Sequence, residues 1–142
     1  MNGSMDLEIN NIKKSYGRVL FTREQKQRFF NGFYGLLLAS NDEIKAMFAN
    51  TNFDKQTLML KNAISMAIMY VENEDSIARD FLVKIRKTHA RDRMNIKPEY
   101  YDYWMECLIQ TLWECDPQFS DALESGWRKV MGKAIEVIRE GY

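Results

Sequence analysis

The sequence contains few of the residues that interrupt helices, cross-link chains or hold structural metal ions. Its 142 residues include two prolines, seven glycines, two cysteines and one histidine. A structural zinc site normally takes four Cys or His ligands, so three such residues are too few. Cys107 and Cys115 are eight residues apart in one predicted helix, roughly 12 Å along its axis, which is too far for a disulfide. We therefore expect two buried, unreactive thiols.

No charge of one sign predominates, and no apolar stretch is long enough to cross a bilayer. The 20 Lys and Arg side chains balance 20 Asp and Glu, so the positive excess typical of nucleic-acid-binding domains is absent. The longest apolar stretch, Leu58 to Val71, is broken by Lys61 and Asn62 and is shorter than the roughly 20 residues of a transmembrane helix. Residues 1–5 lack the features of a signal peptide, and we interpret them as a leader or a cloning remnant. A cytoplasmic protein with no nucleic-acid or membrane partner is predicted.

Apolar side chains at helical spacing are abundant. Apolar residues of all kinds make up 46% of the chain. Many recur every three or four positions, and this periodicity predicts an all-α bundle. The length fits one domain, over residues 6–142. Pro98 and Asp116-Pro117 are typical of helix starts. Seven helices are predicted, over residues 7–20, 23–39, 42–48, 56–71, 76–89, 98–115 and 117–139.

Two of the predicted helices have inner stripes that include polar residues. The stripe of the fourth helix comprises Gln56, Leu60, Ala63, Ile64, Ala67 and then Met69 or Tyr70. The line along the fifth comprises Ile77, Phe81, Leu82, Ile85 and His89. His89 therefore faces the core in this prediction. Taken alone, such a histidine is more often a structural residue that bonds a backbone carbonyl than a metal ligand.

The order and spacing of a larger set of residues favour the ligand role. The set comprises Phe33-Tyr34-Gly35, Phe48, Gln56, Leu60, Ile85, His89, Ile96-Lys97-Pro98-Glu99-Tyr100-Tyr101 and Gly126-Trp127. It resembles the globins, in particular bacterial single-domain haemoglobins and the haem domains of flavohaemoglobins. The resemblance covers about residues 7–138.

This resemblance implies a globin fold of about seven helices that sandwich a haem b group. It implies that His89 is the proximal iron ligand and that Phe48 packs on the porphyrin; the alternative for Phe48 is a plain core residue. Ile85, Ile96 and Tyr101 are further candidates for haem contacts.

Arg91 and Arg93 are candidates for binding the haem propionates. A guanidinium can bind a carboxylate through two parallel hydrogen bonds. These arginines belong to a basic cluster around His89, which a solvated helix end also explains because cations favour a helix C-terminus.

Tyr34, Gln56 and Leu60 are the candidates for the gas-binding side. Tyr34 and Gln56 are polar residues in apolar stripes, and each needs a hydrogen-bond partner. A phenol O–H and an amide N–H directed at bound dioxygen would slow its escape, and Leu60 would close the cavity. The alternatives are a core tyrosine whose hydroxyl reaches solvent and a first-turn glutamine in water.

Two departures from the flavohaemoglobin pattern affect the expected chemistry. The stretch from His89 to Pro98 is about two residues longer than in that family. Tyr101 falls where the family has a tyrosine beside the proximal histidine, but the glutamate that partners this pair has no match near Tyr142. A strongly electron-donating, peroxidase-like proximal side is not expected.

The resemblance implies a protein that reversibly binds dioxygen, CO and NO at a haem iron. NO dioxygenation would need an external reductase, because no reductase portion follows, and no residue is assigned a catalytic role. The alternative is a haem-based gas-sensor module that acts through a partner or a missing output domain. A haem-free interaction domain is a third reading, which the intact His89 argues against. The sequence leaves monomer and homodimer open.

Overall fold

The computed structural model describes residues 3–73, 76–140 and 142. Over these ranges the chain forms α1 (Gly3–Val19), α2 (Arg23–Ser40), α3 (Asp42–Met47), α4 (Phe53–Asn73), α5 (Ser76–His89), α6 (Tyr100–Cys115) and α7 (Asp121–Arg139). The predicted all-α fold of about seven helices is confirmed. Residues 1 and 2 of the predicted leader lie outside the described ranges. None of the described helices is both long and apolar enough to cross a membrane.

The last helix organises the bundle. α7 packs against α1, α4, α5 and α6, while α2 packs against α6. The core contains fully buried aromatic side chains from α2 and α7, and burying each phenylalanine contributes about 1.5–3 kcal/mol. Gly126 lies where α7 crosses α1, and a Cβ there would be 3.2 Å from Ile12 Cδ1. Glycine thus allows the close approach of these two helices.

Four helix starts differ from the predictions. α1 begins at Gly3, four residues before the predicted start at Leu7 and inside the predicted leader. α4 begins three residues earlier than predicted, at Phe53. Asn52 caps the helix, because its side-chain oxygen accepts hydrogen bonds from the N–H groups of Asp54 and Lys55. α6 begins at Tyr100 rather than Pro98, after a tight turn in which the Tyr100 N–H donates to the Lys97 carbonyl.

The fourth difference is at α7, where the predicted start at Asp116-Pro117 is wrong. Ser120 caps the helix instead, by accepting from the Leu123 N–H. The Asp116 carboxylate is buried and accepts hydrogen bonds from Arg18 at 2.6 and 2.9 Å and from Ser15 at 2.7 Å. Asp116 therefore ties the end of α6 to α1 rather than capping α7.

Burial follows the predicted stripes except at one position. Ile77 is exposed, although periodicity placed it on an inner face. Of the two alternatives on α4, Tyr70 is half-buried and packs against the core, whereas Met69 is exposed. Both cysteines are free thiols as predicted; Cys107 is buried and Cys115 half-buried. Burial raises the pKa of both thiols, which keeps them protonated near pH 7.

Candidate functional site

His89 and Tyr101 form a hydrogen-bonded pair between two helices. His89 is the last residue of α5, and Tyr101 is the second residue of α6. Nδ1 of His89 and the Tyr101 hydroxyl share a hydrogen bond of 3.0 Å, and the two rings are 21° from parallel. This bond fixes the orientation of the imidazole.

The loop that follows His89 folds back onto the end of α5. The Ile96 N–H donates to the His89 carbonyl at 2.9 Å, and the Met94 N–H donates to the Thr88 carbonyl at 3.1 Å. Asn95 has a positive φ of 52°, a conformation that asparagine tolerates better than most residues. The longer stretch noted in the sequence is thus an ordered cap that holds the histidine backbone.

The imidazole has one nitrogen engaged and one available. Burial lowers the pKa of His89, so the ring is neutral at pH 7. Among the described residues, Nδ1 bonds Tyr101 and no group bonds Nε2. In the described part of the chain, every side-chain nitrogen or oxygen that is fully buried has a hydrogen-bond partner. Because Nε2 has none among these residues, it is not fully buried. This is the donor arrangement that an axial haem ligand requires.

The hydroxyl of Tyr101 is neutral and lies near a cation. Burial raises its pKa, and the charge of Arg139 on α7 opposes that shift. The charged group of the last helix that acts on this tyrosine is therefore a guanidinium rather than a carboxylate. Such a neutral phenol makes His89 a weaker electron donor than a carboxylate partner would.

Tyr34, Phe48, Phe53 and Gln56 form a second group, the tyrosine cluster. The Tyr34 ring is buried and packs edge to face on Phe48 and Phe53, at centroid distances of 6.0 and 5.3 Å. Its hydroxyl donates to the backbone carbonyl of Gln56 at 3.3 Å. Burial raises the pKa of Tyr34 to about 12, so the phenol keeps its proton. The structure thus brings together three of the predicted residues, Tyr34, Phe48 and Gln56.

Phe53 belongs to this cluster but was not predicted from the sequence. It stacks on Phe48, with centroids 6.0 Å apart and rings 22° from parallel. Phe53 falls between the third and fourth predicted helices, in a stretch that was expected to be a loop. The signal that could have found it is Asn52, which caps α4 and makes Phe53 its first residue.

The two groups lie on helices that pack together, and apolar side chains near them remain partly exposed. α4 bears Gln56 and α5 bears His89, and these helices contact each other. Leu60, one turn after Gln56, is buried. The half-buried apolar residues that pack against the core include Phe48, Phe53, Ile85 and Ile96. A flat apolar ligand could cover the parts of these side chains that remain exposed.

The two residues predicted to bind the propionates, Arg91 and Arg93, differ in their surroundings. The Arg91 guanidinium lies over the Tyr142 ring, 4.7 Å from its centroid. Arg93 is exposed. A surface cavity of about 640 Å³ between α3 and the start of α6 lies outside both groups; it is lined by Asn41, Asp42, Glu43, Lys97, Glu99, Tyr100 and Tyr103.

Comparison with known proteins agrees with this architecture. A protein from Pseudomonas aeruginosa PAO1, whose crystal structure is described as structurally highly homologous to a human hemoglobin, superposes with a TM-score of 0.84 at 31% identity. The match covers 93% of this chain and 95% of the other. No curated protein matches the chain. The family model Globin matches residues 13–138, and the chain therefore belongs to the globin family.

Proposed function

We propose that this globin binds haem b through Nε2 of His89 and reversibly binds dioxygen, CO and NO on the side of Tyr34. The observation that carries the proposal is the His89 ring, which is neutral, held at Nδ1 by Tyr101 and open at Nε2. When bound, ferrous haem supplies an iron with one free position for a diatomic gas. Membership of the globin family supports a haem group in general.

Three apolar side chains would line the haem. They are Phe48 of the tyrosine cluster, Ile85 of α5 and Ile96 of the loop after His89. All three are partly exposed at present, and burying them adds about 25 cal/mol for each Å² removed from water. Because Arg91 already stacks on Tyr142, we propose Arg93 for the propionates.

Tyr34 provides the hydrogen-bond donor on the gas side. Its hydroxyl bonds the Gln56 carbonyl at 3.3 Å, which is long for an O–H donor, so the proton can turn to a polar ligand at small cost. The Gln56 side-chain amide is half-buried and serves as a second donor. A donor pair of this kind favours polar dioxygen over less polar CO.

The environment of Tyr101 favours reversible binding over oxygen–oxygen bond cleavage. Burial keeps the Tyr101 phenol neutral against the opposing charge of Arg139, and a neutral phenol is a weak acceptor, so His89 gains little electron density. NO dioxygenation is then a secondary activity that depends on an external reductase.

Spectroscopy of the purified chain tests this proposal. The protein is loaded with haemin, reduced, and titrated with dioxygen and with CO. We expect a five-coordinate ferrous spectrum that changes to six-coordinate forms with each gas and returns when the gas is removed. Failure to take up haem, or a ferrous spectrum that responds to neither gas, would contradict the proposal.

A further inference from the structure

The solvent-facing side of α4 is unusually apolar. Leu58, Met59 and Met69 on this side are 58%, 61% and 38% exposed. Asn62 and Ser65 lie between them and are also exposed. We call these five residues the outer stripe. It carries no charged side chain, although the solvent face of an amphipathic helix is normally charged and polar.

Charged residues border the outer stripe at its two ends. Lys55 and Asp54 precede it in the first turn of α4, and Glu72 follows it in the last turn. One oxygen of Glu72, Oε2, accepts a hydrogen bond from Lys13 of α1. The helix therefore presents the Lys55 cation with the Asp54 carboxylate beside it, then an uncharged stripe, then the Glu72 anion.

We propose that the outer stripe is the contact between two copies of this chain related by a two-fold axis. In such a contact residue i of one copy meets residue j of the other, and j meets i. With the helices antiparallel and the axis between positions 63 and 64, Leu58 meets Met69, Asn62 meets Ser65, and Lys55 meets Glu72. Met59 lies at the edge of the contact, because its counterpart in this register, Ile68, is buried in the core. One register thus pairs apolar with apolar, amide with hydroxyl, and cation with anion.

This self-complementarity is the reason for assigning a second copy as the occupant. A different protein on the same face would need only an apolar patch of its own, and nothing would require α4 to complement itself when reversed. The dimer leaves the opposite face of α4, which carries Gln56 and buried Leu60, turned toward the core. It is therefore independent of the proposed haem function.

The geometry and strength of the contact follow from its length. Lys55 and Glu72 are 17 residues apart, or about 26 Å along the helix, so contact at both ends requires a shallow crossing near 20°. One pair of helix faces buries less than the roughly 1,600 Å² of a standard interface. We expect a weak dimer that forms between about 10 μM and 1 mM protein.

Sedimentation equilibrium over that concentration range tests the proposal. The unaltered chain should show a reversible monomer–dimer equilibrium. Leu58→Lys and Met69→Glu should each raise the dissociation constant about tenfold or more, because each brings a charge against an apolar side chain. The Leu58→Lys/Met69→Glu double variant pairs the two charges across the axis and should recover much of the loss.

Phe21→Glu is the matched control, since Phe21 is 84% exposed, apolar and outside α4. It should leave the dissociation constant unchanged, and circular dichroism should show unaltered helix content in every variant. A chain that stays monomeric at 1 mM overturns the proposal. So does a dimer that the single variants do not weaken, or a double variant no stronger than either single one.

Discussion

At the residue scale, the function rests on which nitrogen of His89 is occupied. The Tyr101 hydroxyl holds Nδ1 and thereby leaves Nε2 as the nitrogen available to a ligand. A partner of this kind orients a metal-binding imidazole and typically changes metal affinity by 10- to 100-fold. Tyr101 is thus a positioning residue for His89 in the proposed function.

Tyr101→Phe should remove the hydrogen bond to His89 Nδ1 while keeping a buried aromatic ring at position 101. Haem transfer to an excess of a haem-scavenging protein should become roughly 10- to 100-fold faster. Tyr103→Phe, on the same helix but at an exposed tyrosine, serves as the control and should transfer haem at the original rate. Equal rates for all three proteins would show that the 3.0 Å bond does not position the ligand.

Tyr34→Phe tests the donor on the gas side. A hydrogen bond to a strongly polarised acceptor contributes about 1.5–3 kcal/mol, which corresponds to roughly a tenfold to more than a hundredfold change in dissociation. Dioxygen escape should accelerate by that factor, and CO escape should change much less because bound CO is less polar. Flash photolysis and stopped-flow replacement measure both rates. Equal acceleration of both gases would indicate a steric effect instead.

Single residues of the site were predictable to different degrees. The histidine on an apolar line and the polar Tyr34 in an aromatic stripe are visible in the sequence, but their roles came from the resemblance and stay predictions. The bond from Tyr34 to the Gln56 backbone carbonyl was not predictable. It depends on how α2 meets the start of α4, and no local pattern records that distance.

At the element scale, the junction between α6 and α7 shows how a distant partner overrides a local signal. Asp116-Pro117 reads as a cap and a first helical position, yet α7 begins at Asp121. The Asp116 carboxylate instead accepts hydrogen bonds from Arg18 and Ser15 of α1, which are about 100 residues away in the chain. Trp127 joins the same network, because its Nε1 donates to Ser15 Oγ at 3.1 Å.

Asp116→Asn should destabilise the fold through this network. The substitution leaves the Arg18 guanidinium without its carboxylate partner. We expect the free energy of unfolding to fall by about 3 kcal/mol, near the low end for breaking a buried pair, because Arg18 is partly exposed. Chemical denaturation at pH 7 measures the loss. Asp80→Asn, at an exposed aspartate of α5, should change the free energy of unfolding by no more than about 0.5 kcal/mol.

The same residue gives a pH dependence of known sign. Burial alone would raise the pKa of Asp116, but hydrogen bonds from Arg18 and Ser15 outweigh it, so the pKa is lowered in the folded state. The stabilisation is therefore complete above the unfolded value of about 3.9 and is lost as pH falls through the folded pKa. Stability of the unaltered chain should fall more steeply below pH 4 than that of Asp116→Asn. Parallel curves would contradict this role.

At the scale of the whole molecule, apolar periodicity was sufficient to predict seven helices, because each helix buries one face. It failed at Ile77, which is apolar but exposed. Periodicity identifies an apolar face and does not say what covers it. The cofactor itself could be inferred only from the resemblance, since haem contacts come from residues far apart in the chain.

Sustained NO oxidation in the proposed chemistry depends on an added reductase. The oxygenated ferrous protein should oxidise NO to nitrate rapidly in a single turnover, seen by stopped-flow absorption as conversion to the ferric form. Steady-state NADH-dependent NO consumption should be negligible until a reductase is added. Sustained consumption by this chain alone would show that it is an autonomous catalyst.

The central claim is that His89 is the protein ligand of the haem iron, and the absorption spectrum of His89→Gly tests it most directly. Substitution should abolish stable haem retention, because the chain contains no second histidine. Added imidazole should occupy the space left by the ring and restore the Soret band of the unaltered protein. A variant that shows an unchanged Soret band in its ferric and CO-bound ferrous forms without imidazole would contradict the account.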